Sequence, residues 1–202
     1  MNKPNRLLIV SILGWLVFLN VGWLHRLPLF NLMPTPPDII ITIARWITRL
    51  GDPTTLIYAT ILVVFYLGYS KRCWLLAVTM AFTMLIGWWL MDLFKSWWSI
   101  PRPLGAHLVN VSDFSYPSGH AMLSLVFYGF LAWYLAQEGI SKVWSIMLIL
   151  IAILIGISRP LLNVHFPADV IGGWGAGIGW LTLVLWLYYQ LLHKRKEMKA
   201  EQ

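Results

Sequence analysis

The sequence predicts an all-α, polytopic membrane protein with six transmembrane helices and a short interfacial amphipathic helix. Hydrophobic residues make up 59% of the 202 residues, and charged residues only 11%. Water-soluble domains contain about 45–50% apolar and about 25% charged residues, so a soluble helical protein is a poor fit. Six apolar runs come close to the roughly 20 residues that a helix needs to cross the hydrocarbon core. We expect one membrane-embedded domain, residues 1–202.

The first apolar run begins near the N-terminus, where a secretory signal peptide is the alternative interpretation. Lys3 and Arg6 precede the apolar stretch 7–19, but the chain then continues as Asn-Val-Gly-Trp, without a small-x-small cleavage site. We therefore interpret Leu7–Leu24 as an uncleaved membrane helix.

A proline-rich segment and a short amphipathic run follow the first span. The four prolines within Arg26–Pro37 predict a loop. The run Ile39–Leu50 is too short to cross a membrane, and a helix would place Arg45 and Arg49 on one face because they are four residues apart. This pattern is typical of a helix that lies in the membrane interface, and Gly-Asp-Pro at 51–53 ends it.

Five further apolar runs complete the six spans. They are Thr54–Tyr69, Trp74–Leu93, Ser118–Leu135, Val143–Ile157 and Ala168–Leu192. Gly173 with Gly177, and Gly175 with Gly179, have the spacing that lets membrane helices approach closely. Two longer polar segments interrupt the runs, Lys95–Tyr116 and Ser158–Asp169.

An even number of spans places both termini on one side, and the charges indicate which side that is. With cytoplasmic termini, nine Lys and Arg residues lie on inner segments and six on outer segments. Three outer cations belong to the candidate site described below, which leaves a clear positive-inside bias. We therefore assign the net charge of +7 to membrane anchoring and an anionic ligand, not to nucleic acid. We expect a multi-pass protein of the inner or plasma membrane.

This topology brings three polar clusters to the extracytoplasmic face, and the first contains Lys95 and Arg102. A lysine at a helix end commonly extends its amine to the interface, so Lys95 alone would not indicate a site. Arg102 lies between two prolines, which stiffen its backbone and fix the direction of the side chain. Its planar guanidinium matches the spacing of phosphate oxygens.

The second cluster is Tyr-Pro-Ser-Gly-His at residues 116–120, directly before the fourth span. Ser118 is predicted to cap this helix through its side chain. A helix N-terminus also attracts anions, and Gly119 would let a ligand approach the backbone closely. His120, in the first turn, suits a proton donor to a leaving group.

The third cluster contains Arg159, His165 and Asp169. A lone histidine is more often structural, but Asp169 follows His165 by four residues, which is one helical turn. A carboxylate on one ring nitrogen fixes the tautomer and leaves the other nitrogen free to attack. Two other chemistries use similar residues. Zinc could bind the two histidines and the carboxylate, but the three nearby cations would repel it. The serine and a histidine could form a protease dyad, but such a dyad needs no cluster of cations.

Together the clusters resemble the three-part signature of the type 2 phosphatidic acid phosphatase superfamily. This family includes phosphatidylglycerophosphatase B-like enzymes, undecaprenyl pyrophosphate phosphatases and vanadium haloperoxidases. All parts agree in order and spacing, and no motif position departs from the pattern. The parts are Lys95 with Arg102-Pro103, then Pro117-Ser118-Gly119-His120, then Ser158-Arg159 with His165 and Asp169.

The resemblance implies a role for each motif residue. His165 would be the nucleophile that forms a phosphohistidine, Asp169 would orient it, and His120 would protonate the leaving alkoxide and later activate water. The residues implied to hold the phosphate oxygens are Lys95, Arg102, Ser118, Gly119 and Arg159. The resemblance implies neither a metal ion nor another cofactor.

We therefore expect an integral membrane lipid phosphatase, a metal-independent phosphoric monoester hydrolase acting at the extracytoplasmic face. The expected substrate is phosphatidylglycerophosphate or phosphatidate, with undecaprenyl pyrophosphate as the alternative. A lipid phosphotransferase and a non-catalytic lipid-phosphate binder or transporter are alternatives of other classes. The expected partners are the lipid substrate and the bilayer, with no nucleic acid and no obligate protein partner.

Overall fold

A computed structural model describes residues 3–25, 36–104, 107–109 and 113–200. Most of the predicted proline-rich loop lies outside these ranges. The described residues form seven α-helices and one π-helical turn, Tyr66–Ser70. The α-helices are α1 (Lys3–Leu24), α2 (Asp38–Arg49), α3 (Pro53–Phe65), α4 (Trp74–Trp98), α5 (Gly119–Gln137), α6 (Lys142–Leu161) and α7 (Pro167–Ala200).

Six helical segments of the described chain are long and apolar enough to cross a membrane, as predicted. They are Pro4–Leu24, Asp38–Ser70, Trp74–Trp98, Gly119–Gln137, Lys142–Leu161 and Pro167–Met198. The second segment contains α2, α3 and the π-helical turn, and a turn at residues 50–52 separates α2 from α3. The predicted short amphipathic helix thus exists as α2, and its location in the interface stays a prediction.

Helix α7 packs closely against both α1 and α5 because glycines line two of its faces. A Cβ atom on Gly173 would lie 2.7 Å from the carbonyl oxygen of Ser118, at the start of α5. On the face toward α1, Gly179 approaches Gly14, where an added Cβ would lie 2.6 Å from the Gly179 nitrogen. Ser11 of α1 also donates a hydrogen bond to the Gly179 carbonyl, 2.7 Å away. This packing sets the N-terminus of α7 beside that of α5.

The segment after the fifth span is more helical than predicted. Helix α6 continues through Arg159 and Pro160 to Leu161, whereas the sequence analysis ended it near Ile157. Pro160 thus lies within the last turn, although helices usually end before a proline. The chain then turns at Asn163, whose φ of 56° is left-handed, a conformation that asparagine adopts more readily than most residues. Arg159 therefore projects from a helix end and not from a loop.

Candidate active site

The three predicted clusters meet at one cavity of about 480 Å³. Six of the eight predicted site residues line it: Lys95, Arg102, Gly119, His120, Arg159 and His165. Ser118 and Asp169 are fully buried. Residues up to 74 positions apart in the sequence therefore converge as the topology predicted.

His165 lies in the short turn before α7 and is paired with Asp169 in its first turn. Its Nδ1 lies 3.3 Å from Asp169 Oδ2, and its Nε2 lies 3.3 Å from Nη1 of Arg102. Burial lowers the pKa of His165 from its ordinary value to about 3, although the hydrogen bond and charge of Asp169 act in the opposite direction. The imidazole is therefore neutral near pH 7. With Nδ1 donating to Asp169, Nε2 carries the lone pair, which faces Nη1 of Arg102.

The carboxylate of Asp169 has more partners than the sequence indicated. Its Oδ2 accepts hydrogen bonds from the Ser115 hydroxyl at 2.5 Å and from the backbone N–H of Phe166 at 2.7 Å. Its Oδ1 lies 2.7 Å from Nε2 of His25, the residue after α1. Two histidines thus flank one buried carboxylate, and both of its oxygens are engaged.

His25 was not identified as a site residue by the sequence analysis. Its side chain is only 4% exposed and makes an edge-to-face contact with the ring of Phe166. The available signal was the location of His25, because the C-terminal end of the first span is expected on the same membrane face as His165.

Lys95 and Arg102 converge on an acidic residue that the sequence analysis also missed, Asp113. Lys95 Nζ lies 2.5 Å from one carboxylate oxygen of Asp113, and the Arg102 guanidinium pairs with the other. Arg102 also donates from Nη1 to the Val164 carbonyl at 2.5 Å, which holds it beside His165. Burial raises the pKa of Asp113, but Lys95 and Arg102 outweigh this effect and lower it to about 2. Asp113 is therefore ionised at any working pH.

Ser118 is the N-cap residue of α5, as predicted, but the side-chain capping bond that was also expected is not formed. The Ser118 hydroxyl makes no bond to the helix, and it has no hydrogen-bond partner among the described residues. Its backbone N–H instead donates to the Asp169 carbonyl at 3.0 Å. This bond ties the start of α5 to the first turn of α7. A buried hydroxyl without a partner is costly.

His120 forms the second histidine–carboxylate pair of the cavity. Its Nε2 lies 3.0 Å from Oδ1 of Asp52, the residue before α3, and Asp52 also lines the cavity. Arg159, from the last turn of α6, donates from Nη1 to the Thr48 hydroxyl at 2.7 Å. Helices α2 and α3 therefore contribute to the cavity, although the predicted motifs include no residue of either helix.

The cavity is strongly basic. Its described lining contains five cationic side chains, Arg45, Arg49, Lys95, Arg102 and Arg159, against two carboxylates, Asp52 and Asp113. Such an excess of guanidinium and ammonium groups favours an anion with several oxygens. Two of the cations, on α2, had been counted in the sequence analysis only as outer-face charges.

Known proteins are similar to this chain in sequence, and one of them is also similar in fold. Residues 72–193 match the family model of the PAP2 superfamily. Phosphatidylglycerophosphatase B of Bacillus subtilis (strain 168) is 42% identical over 89 residues, which span 42% of this chain and 44% of that protein. The putative undecaprenyl-diphosphatase YbjG of Escherichia coli (strain K12) is 29% identical over 172 residues, 80% of this chain and 82% of that protein.

The fold is similar to that of a transmembrane PAP2 type phosphatidylglycerolphosphate phosphatase from Bacillus subtilis, known from its crystal structure. The TM-score is 0.78 at 27% sequence identity, and the match covers 94% of this chain and 98% of that chain. The first relative is thus matched over less than half its length, and the other two proteins over most of theirs.

Proposed function

Because the chain belongs to the PAP2 superfamily and is a membrane phosphatase, we propose that it hydrolyses a glycerophospholipid phosphomonoester through a phosphohistidine on His165. The observation that carries this proposal is the pairing of His165 Nδ1 with the buried carboxylate of Asp169, while Nε2 faces the basic cavity. The substrate is phosphatidylglycerophosphate or phosphatidate. Positive-inside charge supports cytoplasmic termini and a cavity on the extracytoplasmic side.

In the first step, the Nε2 lone pair of His165 attacks phosphorus and the bond to the leaving oxygen breaks. His120, as the imidazolium, gives its proton to that oxygen, and the adjacent Asp52 carboxylate and the bound phosphate together favour this protonated form. Lys95, Arg102 and Arg159 neutralise the phosphoryl oxygens, and charge stabilisation of this kind is the main contribution of proteins to phosphoryl transfer. The Ser118 hydroxyl and the backbone at Gly119 supply further donors.

In the second step, neutral His120 takes a proton from water, and the resulting nucleophile attacks the phosphohistidine. The P–N bond breaks, phosphate is released, and His165 returns to its neutral form with Nδ1–H still facing Asp169. His120 becomes protonated again, so the cycle closes without a net change in either histidine.

An apolar groove beside the cavity supports a lipid as the substrate. It has a volume of about 650 Å³ and lies between α3 and α4, where Ile57, Val64, Phe65 and Leu85 line it. Trp88 lines both the groove and the cavity. A lipid could thus lay its tail in the groove with its phosphate in the cavity.

Undecaprenyl pyrophosphate is the second candidate substrate. The relative named as a putative undecaprenyl-diphosphatase aligns with 80% of this chain and supports it. The same residues would act, and the leaving group would be a lipid phosphate instead of an alkoxide.

Phosphate release by the purified protein in EDTA tests the proposed function. We expect release from at least one of phosphatidylglycerophosphate, phosphatidate and undecaprenyl pyrophosphate, at a rate that EDTA does not change. Orthovanadate should inhibit it, because vanadate adopts the five-coordinate geometry of the phosphoryl transition state. Activity that EDTA removes and a divalent metal restores would contradict the mechanism, and so would insensitivity to vanadate.

Asp113 should compete with the substrate, because its carboxylate occupies Lys95 and Arg102, which the mechanism assigns to the phosphate. We expect Asp113→Asn to lower the inhibition constant of vanadate by about fivefold, since a partly exposed ion pair contributes on the order of 1 kcal/mol. Asp92→Asn, at an exposed position of α4, makes the same change in charge and controls for it. Weaker vanadate inhibition in Asp113→Asn would instead show that Asp113 orients the two cations.

A further inference from the structure

One face of α2 forms part of the cavity wall. Arg45, Thr48 and Arg49 line the cavity, at positions that share a helix face. Ala44 is buried on the adjoining face, where it packs with Leu162 and Val164 of the turn before α7. The packing of α2 against the turn that carries His165 places the two arginines on the cavity wall.

The two arginines lie close to the proposed site of the reacting phosphate. Thr48 accepts the hydrogen bond from Arg159 at 2.7 Å, and neighbours at i+3 or i+4 on a helix have Cβ atoms only about 5–6 Å apart. Arg45 is three residues before Thr48, and Arg49 follows it directly. A group bound by these arginines would therefore lie beside the phosphoryl group at His165.

Neither arginine is committed to an ion pair within the described part of the chain. None of the salt bridges within the described residues involves Arg45 or Arg49. The Arg49 guanidinium instead lies 4.2 Å from the ring centroid of Trp46, a contact that holds its direction while leaving its N–H donors available. By contrast, Lys95 and Arg102 are already paired with Asp113.

The cavity is also larger than one phosphoryl group requires. At the roughly 30 Å³ that liquid water gives each molecule, phosphorus and its oxygens need on the order of 150 Å³. The cavity measures about 480 Å³. Space and positive charge are thus both left over once the reacting group is bound.

We propose that Arg45 and Arg49 form a subsite for a second phosphoryl group of the substrate. This inference rests on the proposed function and narrows it, because phosphatidate carries only one phosphoryl group. The shared chemistry is a second anionic phosphoryl group near the scissile one, supplied either by the phosphodiester of phosphatidylglycerophosphate or by the second phosphate of undecaprenyl pyrophosphate. In both substrates the scissile group binds at His165 and the second group at α2.

The test compares substrates with one and two phosphoryl groups on the variant Arg45→Gln/Arg49→Gln. We expect the ratio of kcat/KM for a two-phosphate substrate to kcat/KM for phosphatidate to fall about tenfold, because charge-assisted hydrogen bonds are lost. The matched control is Lys142→Gln/Lys194→Gln, which removes two exposed charges at the other end of the bundle. It should leave the ratio within about twofold of wild type.

The three substrates also identify the source of the second group. If the kcat/KM ratio falls for phosphatidylglycerophosphate alone, the subsite binds a phosphodiester. If the ratio falls for undecaprenyl pyrophosphate alone, the subsite binds a pyrophosphate. An unchanged ratio for both would overturn the inference, because the arginines would then only anchor α2 to lipid headgroups.

A binding measurement keeps the subsite separate from the phosphatase activity. By calorimetry, we expect wild-type protein to bind methylenediphosphonate about tenfold more tightly than inorganic phosphate, and the double arginine variant to lose this preference. If no lipid phosphate is hydrolysed, the proposed function is wrong. The preference for methylenediphosphonate over inorganic phosphate would still show whether the subsite exists. Equal affinity of wild-type protein for the two anions would contradict the subsite even if phosphatidate is hydrolysed.

Discussion

Replacing His165 with alanine is expected to lower kcat by at least about 10⁴-fold on every phosphate substrate, because the atom that forms the covalent intermediate is lost. The substitution should preserve the fold. Asp169 keeps its bonds from His25, Ser115 and the backbone of Phe166, so no buried charge is left without a partner. Steady-state phosphate release measures the loss, and thermal unfolding in detergent checks the fold.

His193→Ala is the matched control for this prediction. His193 is 73% exposed near the end of α7, far from the cavity in the bundle, and its loss should change kcat by less than about twofold. Retention of full activity by His165→Ala would rule out His165 as the nucleophile and leave the basic cavity as a binding site for lipid phosphates.

The second large effect concerns His120 and depends on the leaving group. His120→Ala should reduce turnover of an alkyl phosphate by about 10²–10⁴-fold, the usual contribution of a general acid. With p-nitrophenyl phosphate the departing phenolate needs no proton, so the first step should survive. We then expect a burst of nitrophenolate equal to the amount of enzyme, followed by slow turnover, because water attack still lacks its general base.

A rapid-quench experiment with radiolabelled substrate should capture the phosphoenzyme that accumulates in His120→Ala. The phosphohistidine should be labile in acid and stable in alkali, unlike a phosphoserine. Equal losses on both substrates without a burst would show that His120 does not transfer the proton.

The spans were predicted well and the motifs identified the family, because both depend on local information. Apolar run length decides which helices cross a membrane, and each motif lies within a few residues of chain. The end of α6 was less predictable, because helices usually end before a proline, whereas α6 continues through Pro160 to Leu161. Ser118 is the N-cap residue of α5, but the expected bond from its side chain is not formed.

The partners of the motif residues could not be predicted, because helix packing determines them. His25, Asp52 and Asp113 each pair with a motif residue, yet none of them belongs to a recognisable pattern. Charge complementarity predicts that carboxylates lie near the cations and histidines, but it does not identify which carboxylates of the chain these are. The roles of Arg45 and Arg49 depended on knowing that α2 packs beside the turn that carries His165.

The bond between His25 and Asp169 also bears on how the protein assembles. It joins residues 144 positions apart, the residue after the C-terminus of α1 and a residue in the first turn of α7. Such a contact forms late, because loop-closure entropy delays distant pairings. Until α1 docks, one oxygen of the Asp169 carboxylate would lack its partner, at a cost of about 1–3 kcal/mol or more for a charged group. Docking of α1 thus completes the set of bonds that holds the Asp169 carboxylate beside His165.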